Sequence, residues 1–449
     1  MDAALAQWID GARHGAGRAG TLEHLSLANP AAPKLVVPCA GEQEWQLALD
    51  AAERCLRALA FAPPSIQAPS FARLEEALHA RDARFVEALV CDLGWTVSEA
   101  EREVDAALLE FSASLRGNTP DLPSARPLEG KRPGLLIAAP PAEAPLAPLL
   151  RALGASLWCG NSLLVAATPS APRCAALLVD ALEQSELHAG GVQVLYGRRT
   201  ALAAILAARA SRAVLETWAR VSPSDGEARG LEALVPDARL LGEDRSATAA
   251  AFGPTCEPAR DAARYVEELL ARGGSGAEAP RALFVHDDRA SEFADALVEE
   301  LQAARASTTR APLVEDGAVR GAELFVRRAL EEGVAIPIGG QAEARGERRG
   351  AVWFEPTLLV NVARTSKTAR ARVGAPIAVL CRYASPSDLL ARLEQARQAQ
   401  VWIGPDLLFE LAALGLRELA PFERGFGAPE LREGEALCVI GARDRGREL

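Results

Sequence analysis

The sequence predicts an α/β fold with two parallel-sheet regions, and three observations carry that expectation. Residues 134–196 alternate short apolar runs with amphipathic helices, and a second α/β succession starts at Arg281. At 449 residues with 49% apolar content, the chain has material for two packed cores rather than one.

Taken in order, Gln43 to Leu59, Ser70 to Leu93 and Ser98 to Leu115 place apolar residues three and four apart and predict three helices. Pro and Gly crowd Arg116 to Pro133, which predicts a loop or a short β excursion. Gly134 to Ala139 is an apolar run that stops at Pro140-Pro141. A helix follows from about Pro145 to Leu157, Gly160-Asn161 makes a turn, and a second apolar run covers Ser162 to Ala166. Ser170 to Glu186 predicts another helix and Gly191 to Tyr196 a third strand. Apolar runs joined by helices in this way mark a parallel sheet, whose strands are buried on both faces and need long crossovers. Beyond it, Ala201 to Ala210 predicts a helix, Ala213 to Leu215 a short strand, Leu231 to Leu241 a helix and strand, and Ala259 to Ala271 a helix. Arg281 to His286 is the strand that opens the second region. Ala290 to Arg305 and Gly321 to Gly333 predict helices, and Gly350 to Val362 a strand.

Composition excludes several classes. The net charge of -11, with no stripe of basic residues, argues against nucleic acid. The start of the chain lacks a secretory signal, and no run of about 18 apolar residues could span a bilayer, so the expectation is a cytoplasmic protein with no membrane partner. The eight cysteines never occur as C-x-x-C and do not stand at ligand spacing with the five histidines, so no metal is expected.

Residues 134–177 resemble the cofactor-binding core of the aldehyde dehydrogenase superfamily, with framework residues Gly134, Pro141, Pro145, Gly160 and Asn161 in place. Trp8-Ile9-Asp10-Gly11, Ala28-Asn29-Pro30, Gly350 to Val362, Arg370 to Leu380, Val401 to Gly404, Pro421-Phe422 and Gly425-Phe426-Gly427 resemble further motifs of that family, so the likeness runs over almost the whole chain. It implies two Rossmann-like parallel-sheet domains with a small β oligomerisation element that looks trimmed here. The implied boundaries are 1–115 with 134–245 for a degenerate dinucleotide-binding domain, 246–424 for a degenerate catalytic domain, and 116–133 with 425–449 for the oligomerisation element.

The resemblance also implies where the chemistry should stand. The family attacks a carbonyl with a thiolate, and that position falls on Ala277; no cysteine lies between residues 257 and 380. The general base falls on Leu241, with Glu243 close by as a fallback. The side chain that donates to the developing oxyanion falls on Glu143, where an ionised carboxylate has no proton to give. The Lys and Glu that hold the adenosine ribose fall on Ala166 and Pro169. The small-residue turn that lets a helix N-terminus approach the pyrophosphate falls on Glu216 to Ala219, with Trp218 where the glycine belongs. The nicotinamide-ribose Glu falls near Arg372. Cys256 is the nearest thiol, and no His or Lys flanks it to lower its pKa.

The expectation is therefore a pseudoenzyme with the dehydrogenase fold and no cofactor. It would act as a structural or regulatory subunit whose partner is itself or an active aldehyde dehydrogenase, akin to the non-catalytic module of the sixteenth aldehyde dehydrogenase family. Two other readings stand beside it. One is an active NAD- or NADP-dependent aldehyde oxidoreductase with displaced catalytic residues; the other is a small-molecule binding module that uses the old substrate tunnel.

Overall fold

The structure is a computed structural model of the 449-residue chain. It describes residues 5–15, 19–29, 31–59, 67–117, 134–140, 142, 144–197, 217–221, 239–240, 248–276, 279–306, 311–313, 316–343, 352–363, 366–370, 373–396, 400–410, 414–418 and 436–440. Two compact units divide the chain, Met1–Gly242 with Arg348–Gly350, and Glu243–Glu347 with Ala351–Leu449.

The first unit opens with a hairpin of β1 (Gln7–Ile9) and β2 (Ala12–His14). Its turn residues Asp10 and Gly11 both take positive φ, 53° and 77°, a geometry that Asp-Gly tolerates well. After the antiparallel pair β3 (Thr21–His24) and β4 (Leu35–Pro38) come α1 (Glu42–Leu59), α2 (Ala68–His79), α3 (Asp82–Leu93) and α4 (Val97–Leu115). The single helix expected over Ser70 to Leu93 is thus two. Arg81 stands at the break with its side chain turned inward, donating to the carbonyls of Ala77 and Asp180. Thr96 and Glu99 form a reciprocal capping box that starts α4.

Next come β5 (Leu135–Ala139), α5 (Ala147–Trp158), β6 (Ser162–Ala167), α6 (Pro172–Ser185), β7 (Val192–Tyr196), β8 (Thr217–Val221) and β9 (Arg239–Leu240). The sheet order is β2-β1-β7-β6-β5-β8-β9, and neighbours from β7 to β9 are parallel. β6 and β7 build outward on one side of β5, and β8 and β9 on the other. Such a reversal of strand order leaves a crevice at the carboxyl ends of β5 and β8. Alternation along the strands puts Leu135, Ile137, Ala139, Leu164, Ala166 and Leu195 on the face that packs against Trp45, Ala48, Ala52 and Leu56 of α1. The full burial of Trp45 anchors that layer and contributes about 2–3 kcal/mol.

The second unit contains β10 (Thr248–Phe252), α7 (Pro258–Leu270), β11 (Ala282–His286), α8 (Ala290–Ala306), α9 (Asp316–Glu331), β12 (Ala335–Ile338), β13 (Ala342–Glu343), β14 (Trp353–Phe354), β15 (Thr357–Val360), β16 (Ile377–Tyr383), α10 (Pro386–Gln395), β17 (Gln400–Ile403), β18 (Leu416–Glu418) and β19 (Ala436–Ile440). Its main sheet runs β12-β15-β16-β11-β10-β17-β19-β18, with β15, β16, β11, β10 and β17 parallel to one another. α7 and α8 supply Tyr265, Leu269, Phe293, Leu297 and Leu301 to a core that also holds Leu283, Val285, Leu380 and Trp402. The opposite sheet face, with Phe284, Val379 and Val401, packs with Phe325 of α9 and with Leu389 and Leu393 of α10.

Three more expectations change in detail. The strand over Gly350 to Val362 breaks at Glu355-Pro356, because Pro356 has no N–H for the ladder, giving β14 and β15. The helix expected from Gly321 starts at Asp316. Residues 436–440, expected within the oligomerisation element, form β19, whose two edges pair with β17 and β18 of the same chain. A strand paired on both sides has no free edge for another copy. The helix expected at Ala201 to Ala210, the strand at Ala213 to Leu215 and the segment 118–133 lie outside the described residues.

Candidate functional site

In the first unit, the described positions of interest are Ala166 and Pro169 at the carboxyl end of β6 and Trp218 near the start of β8. The N-terminus of α5 follows β5 closely, and its first amides need acceptors. Glu103 of α4 supplies them: its Oε1 accepts from Leu146 N at 3.2 Å and Ala147 N at 2.9 Å, and the residue is only 1% exposed. The sequence signal was present though unused, since Glu103 interrupts the apolar stripe of Ala100, Val104, Ala107 and Phe111. Glu143 lies outside the described residues; Ala142 and Ala144 on either side of it are buried.

On β6, Ala166 pairs with Leu195 of β7, and its methyl lies in the core layer against α1. Pro169 stands in the exposed turn that follows. Neither can donate or accept through a side chain, and the hydroxyl-bearing residue between them, Thr168, is buried. The residues of this strand end do not fit the ribose of a dinucleotide.

Trp218 requires a correction. The expected phosphate turn over Glu216 to Ala219 is instead occupied from Thr217 by β8, with Trp218 opposite Leu136 and Val221 opposite Ala139. The backbone of 217–221 is committed to the parallel ladder, so it cannot form a phosphate turn. A turn in the family's position would follow Val221, in residues outside the described set, as Glu216, Leu241, Glu243, Ala277 and Arg372 also are.

In the second unit, the loop that precedes β11 carries the nucleophile position in the resemblance. Arg272, Gly273 and Gly274 all take positive φ, at 54°, 70° and 76°. A Cβ on Gly273 would lie 2.5 Å from the carbonyl oxygen of Ala311, and one on Gly274 would lie 2.6 Å from the backbone of Pro376. Both glycines are thus demanded by close approach as well as by backbone conformation. Arg281 fixes this loop from the start of β11: Nη2 donates to Gly274 O at 2.9 Å and to Gly276 O at 2.6 Å, and Nε to Ala375 O at 3.3 Å. The structure thereby brings together the segment ending at Gly276 and the segment Val373 to Pro376, which adjoin the positions that the resemblance gives to the nucleophile and to the nicotinamide-ribose contact. Arg281 had no distinguishing sequence signal, being one basic residue at a strand start.

Cys256 follows β10 and is 3% exposed, in the core layer with Phe252, Tyr265 and Trp402. Burial pushes its thiol up to about 12; Asp406 and Asp261 push the same way, and Arg289 opposes them. A thiol so placed is neither ionised nor reachable at neutral pH. Cys381, in β16, is likewise buried and pushed up to about 12. Among the described residues no group of three or more His, Cys, Asp or Glu could hold a metal ion, and no helix is long and apolar enough to cross a membrane.

Two α/β units with parallel central strands, one with a strand-order reversal beside β5 and one with a glycine loop ahead of β11, define the class as a two-unit α/β fold of the doubly wound kind. The chain belongs to the aldehyde dehydrogenase family, whose model matches residues 18–401. It is 24% identical over 410 residues to the NADP(+) succinate-semialdehyde dehydrogenase of Escherichia coli (strain K12), covering 86% of this chain and 81% of that protein. It is 23% identical over 338 residues to a 3-sulfolactaldehyde dehydrogenase of Priestia aryabhattai, covering 71% of this chain and 69% of that protein. Among solved structures, 3,6-anhydro-L-galactose dehydrogenase matches with a TM-score of 0.75 at 18% identity, over 96% of this chain and 92% of that one.

Proposed function

We propose that this protein is a non-catalytic member of the aldehyde dehydrogenase family, working in the cytoplasm as a structural or regulatory subunit that pairs with itself or with an active aldehyde dehydrogenase. The state of Cys256 carries the reading. No cysteine lies between residues 257 and 380, and the nearest thiol before that stretch is buried and held in its protonated form. Without a thiolate there is no hemithioacetal to deliver hydride. The domain reading retained with this proposal keeps 116–133 and the residues after 424 other than β19 as the oligomerisation element.

The activities of the relatives support a second reading more directly than the first: an active NAD(P)-dependent aldehyde oxidoreductase whose catalytic groups have moved. Steady-state assays of the purified chain with NAD and NADP against succinate semialdehyde, 3-sulfolactaldehyde and simple aldehydes separate the two. The first reading expects no turnover above the buffer rate. Sustained reduction of cofactor that disappears in Cys256→Ser or Glu243→Gln would establish the second. Sedimentation of the chain alone and mixed with an active relative tests the pairing.

A further inference from the structure

We infer that the carboxyl ends of β5 and β6 in the first sheet are closed to the adenosine half of a nicotinamide dinucleotide by the protein's own buried carboxylates and methyl groups. The inference goes beyond the missing thiol, because a chain without a nucleophile could still hold the cofactor as a ligand. In α/β sheets the helix that follows a strand offers its first N–H groups and positive dipole end to an anion at the strand's carboxyl end. Both helices that follow β5 and β6 have that end occupied from within. Glu103 takes the amides of Leu146 and Ala147 at α5. Asp92 of α3, fully buried, takes the amide of Arg173 at α6 at 3.0 Å, pairs with the Arg173 guanidinium, and lies 3.1 Å from Nε2 of His24. Neither of these two helix ends has its first amides free for a ligand; the phosphate turn of the family would instead follow β8, so the closure concerns the adenosine ribose.

The strand end tells the same story independently. Ala166, Ala167 and Thr168 are 1%, 4% and 5% exposed, and the methyl of Ala166 is part of the layer against Trp45. Ribose hydroxyls placed there would lose water and gain no partner, which is unfavourable for each hydroxyl buried.

The test is calorimetric titration of the full unmodified chain with NAD, NADP and ADP-ribose, each to about 5 mM, with thermal melts alongside and a cofactor-binding relative as the positive control. A ligand at about a hundred times its dissociation constant raises the melting temperature by a few degrees, so a real site would register. The inference expects no saturable heat and no shift with any of the three, while the control responds to the dinucleotides. Saturable binding of any of them would overturn it. Binding without turnover would overturn this inference and leave the proposed function standing; turnover would overturn both.

Discussion

Nη2 of Arg281 donates to the carbonyl oxygen of Gly274 at 2.9 Å, and through this bond the start of β11 holds the loop in which the family places its nucleophile. The same guanidinium reaches Gly276 O and Ala375 O, so a single side chain sets two segments against each other. The loop so held reads Gly-Gly-Ser-Gly over residues 273–276. Hydrogen bonds from a charged donor to backbone carbonyls contribute about 1.5–3 kcal/mol each, so the clamp is worth retaining for the fold alone.

Gly274→Ala is expected to cost about 2–4 kcal/mol, because its Cβ would stand 2.6 Å from the Pro376 backbone at a φ of 76°. Gly276→Ala is the internal control: nothing lies within 4 Å of the added carbon, and the expected change is within about 0.5 kcal/mol. Urea unfolding of the two variants checks this. Equal midpoints would show that the loop yields where the structure has it rigid.

Glu103 gives a second pair of variants. Glu103→Ala leaves the Leu146 and Ala147 amides without their acceptor inside the protein, at an expected cost of about 3 kcal/mol. Glu103→Gln keeps an acceptor and loses only the charge at the helix end, for about 1 kcal/mol. Denaturation midpoints of the three proteins should fall in the order wild type, Gln, Ala. A glutamine variant as unstable as the alanine one would mean that charge rather than the hydrogen bonds does the capping.

The fold was legible because its signals are local. Gly134 to Tyr196 writes each strand as an apolar run and each helix as a 3.6-residue stripe, and the observed β5, α5, β6, α6 and β7 depart from that reading by only a few residues at any end. What failed was non-local or lacked a pattern. The α2–α3 break depends on Arg81 bonding to the Asp180 carbonyl ninety-nine positions away, which no window can see. β8 reads TWARV, polar and apolar mixed, with neither a continuous apolar run nor a clean alternation to mark it as a strand. β19 follows a Pro- and Gly-rich stretch and joins the sheet by pairing with β17, more than thirty residues earlier. Of the site, the absence of any cysteine between residues 257 and 380 was plain in the sequence; the roles of Glu103, Asp92 and Arg281 were not, because each acts on the backbone of a distant segment.

Cys256 should be inert in the native protein. With its thiol pushed up to about 12, the thiolate fraction at pH 7 is about one in a hundred thousand, and burial blocks approach. Iodoacetamide labelling read by peptide mass spectrometry should show Cys256 modified only in denaturant. Labelling within minutes under native conditions would remove the observation on which the non-catalytic reading rests.

Asp406 supplies a pH dependence. Both of its carboxylate oxygens are shut away from solvent without a hydrogen bond of good geometry, between the bare faces of Gly253 and Gly404. Burial raises its pKa above the ordinary carboxylate value. The nearby Gly253 N–H works against this, and the negative charge of Asp261 adds to it. Cys256 and Arg260 are its other ionisable neighbours. A carboxyl whose pKa is higher folded than unfolded binds its proton more tightly in the folded state. The stability it lends is therefore complete below the unfolded value of about 4 and is lost as pH rises through the folded value. At neutral pH the ionised group is a burden. Asp406→Asn should stabilise the protein there by about 1 kcal/mol, a figure kept small because the residue as a whole is only half-buried, and should remove this fall in stability with pH. Melting temperatures of both proteins from pH 4 to pH 8 test it: the curves should approach each other at the acid end and separate toward neutrality, with the variant above. An Asn variant less stable than the wild type at pH 7 would show that the ionised carboxylate is satisfied where it stands.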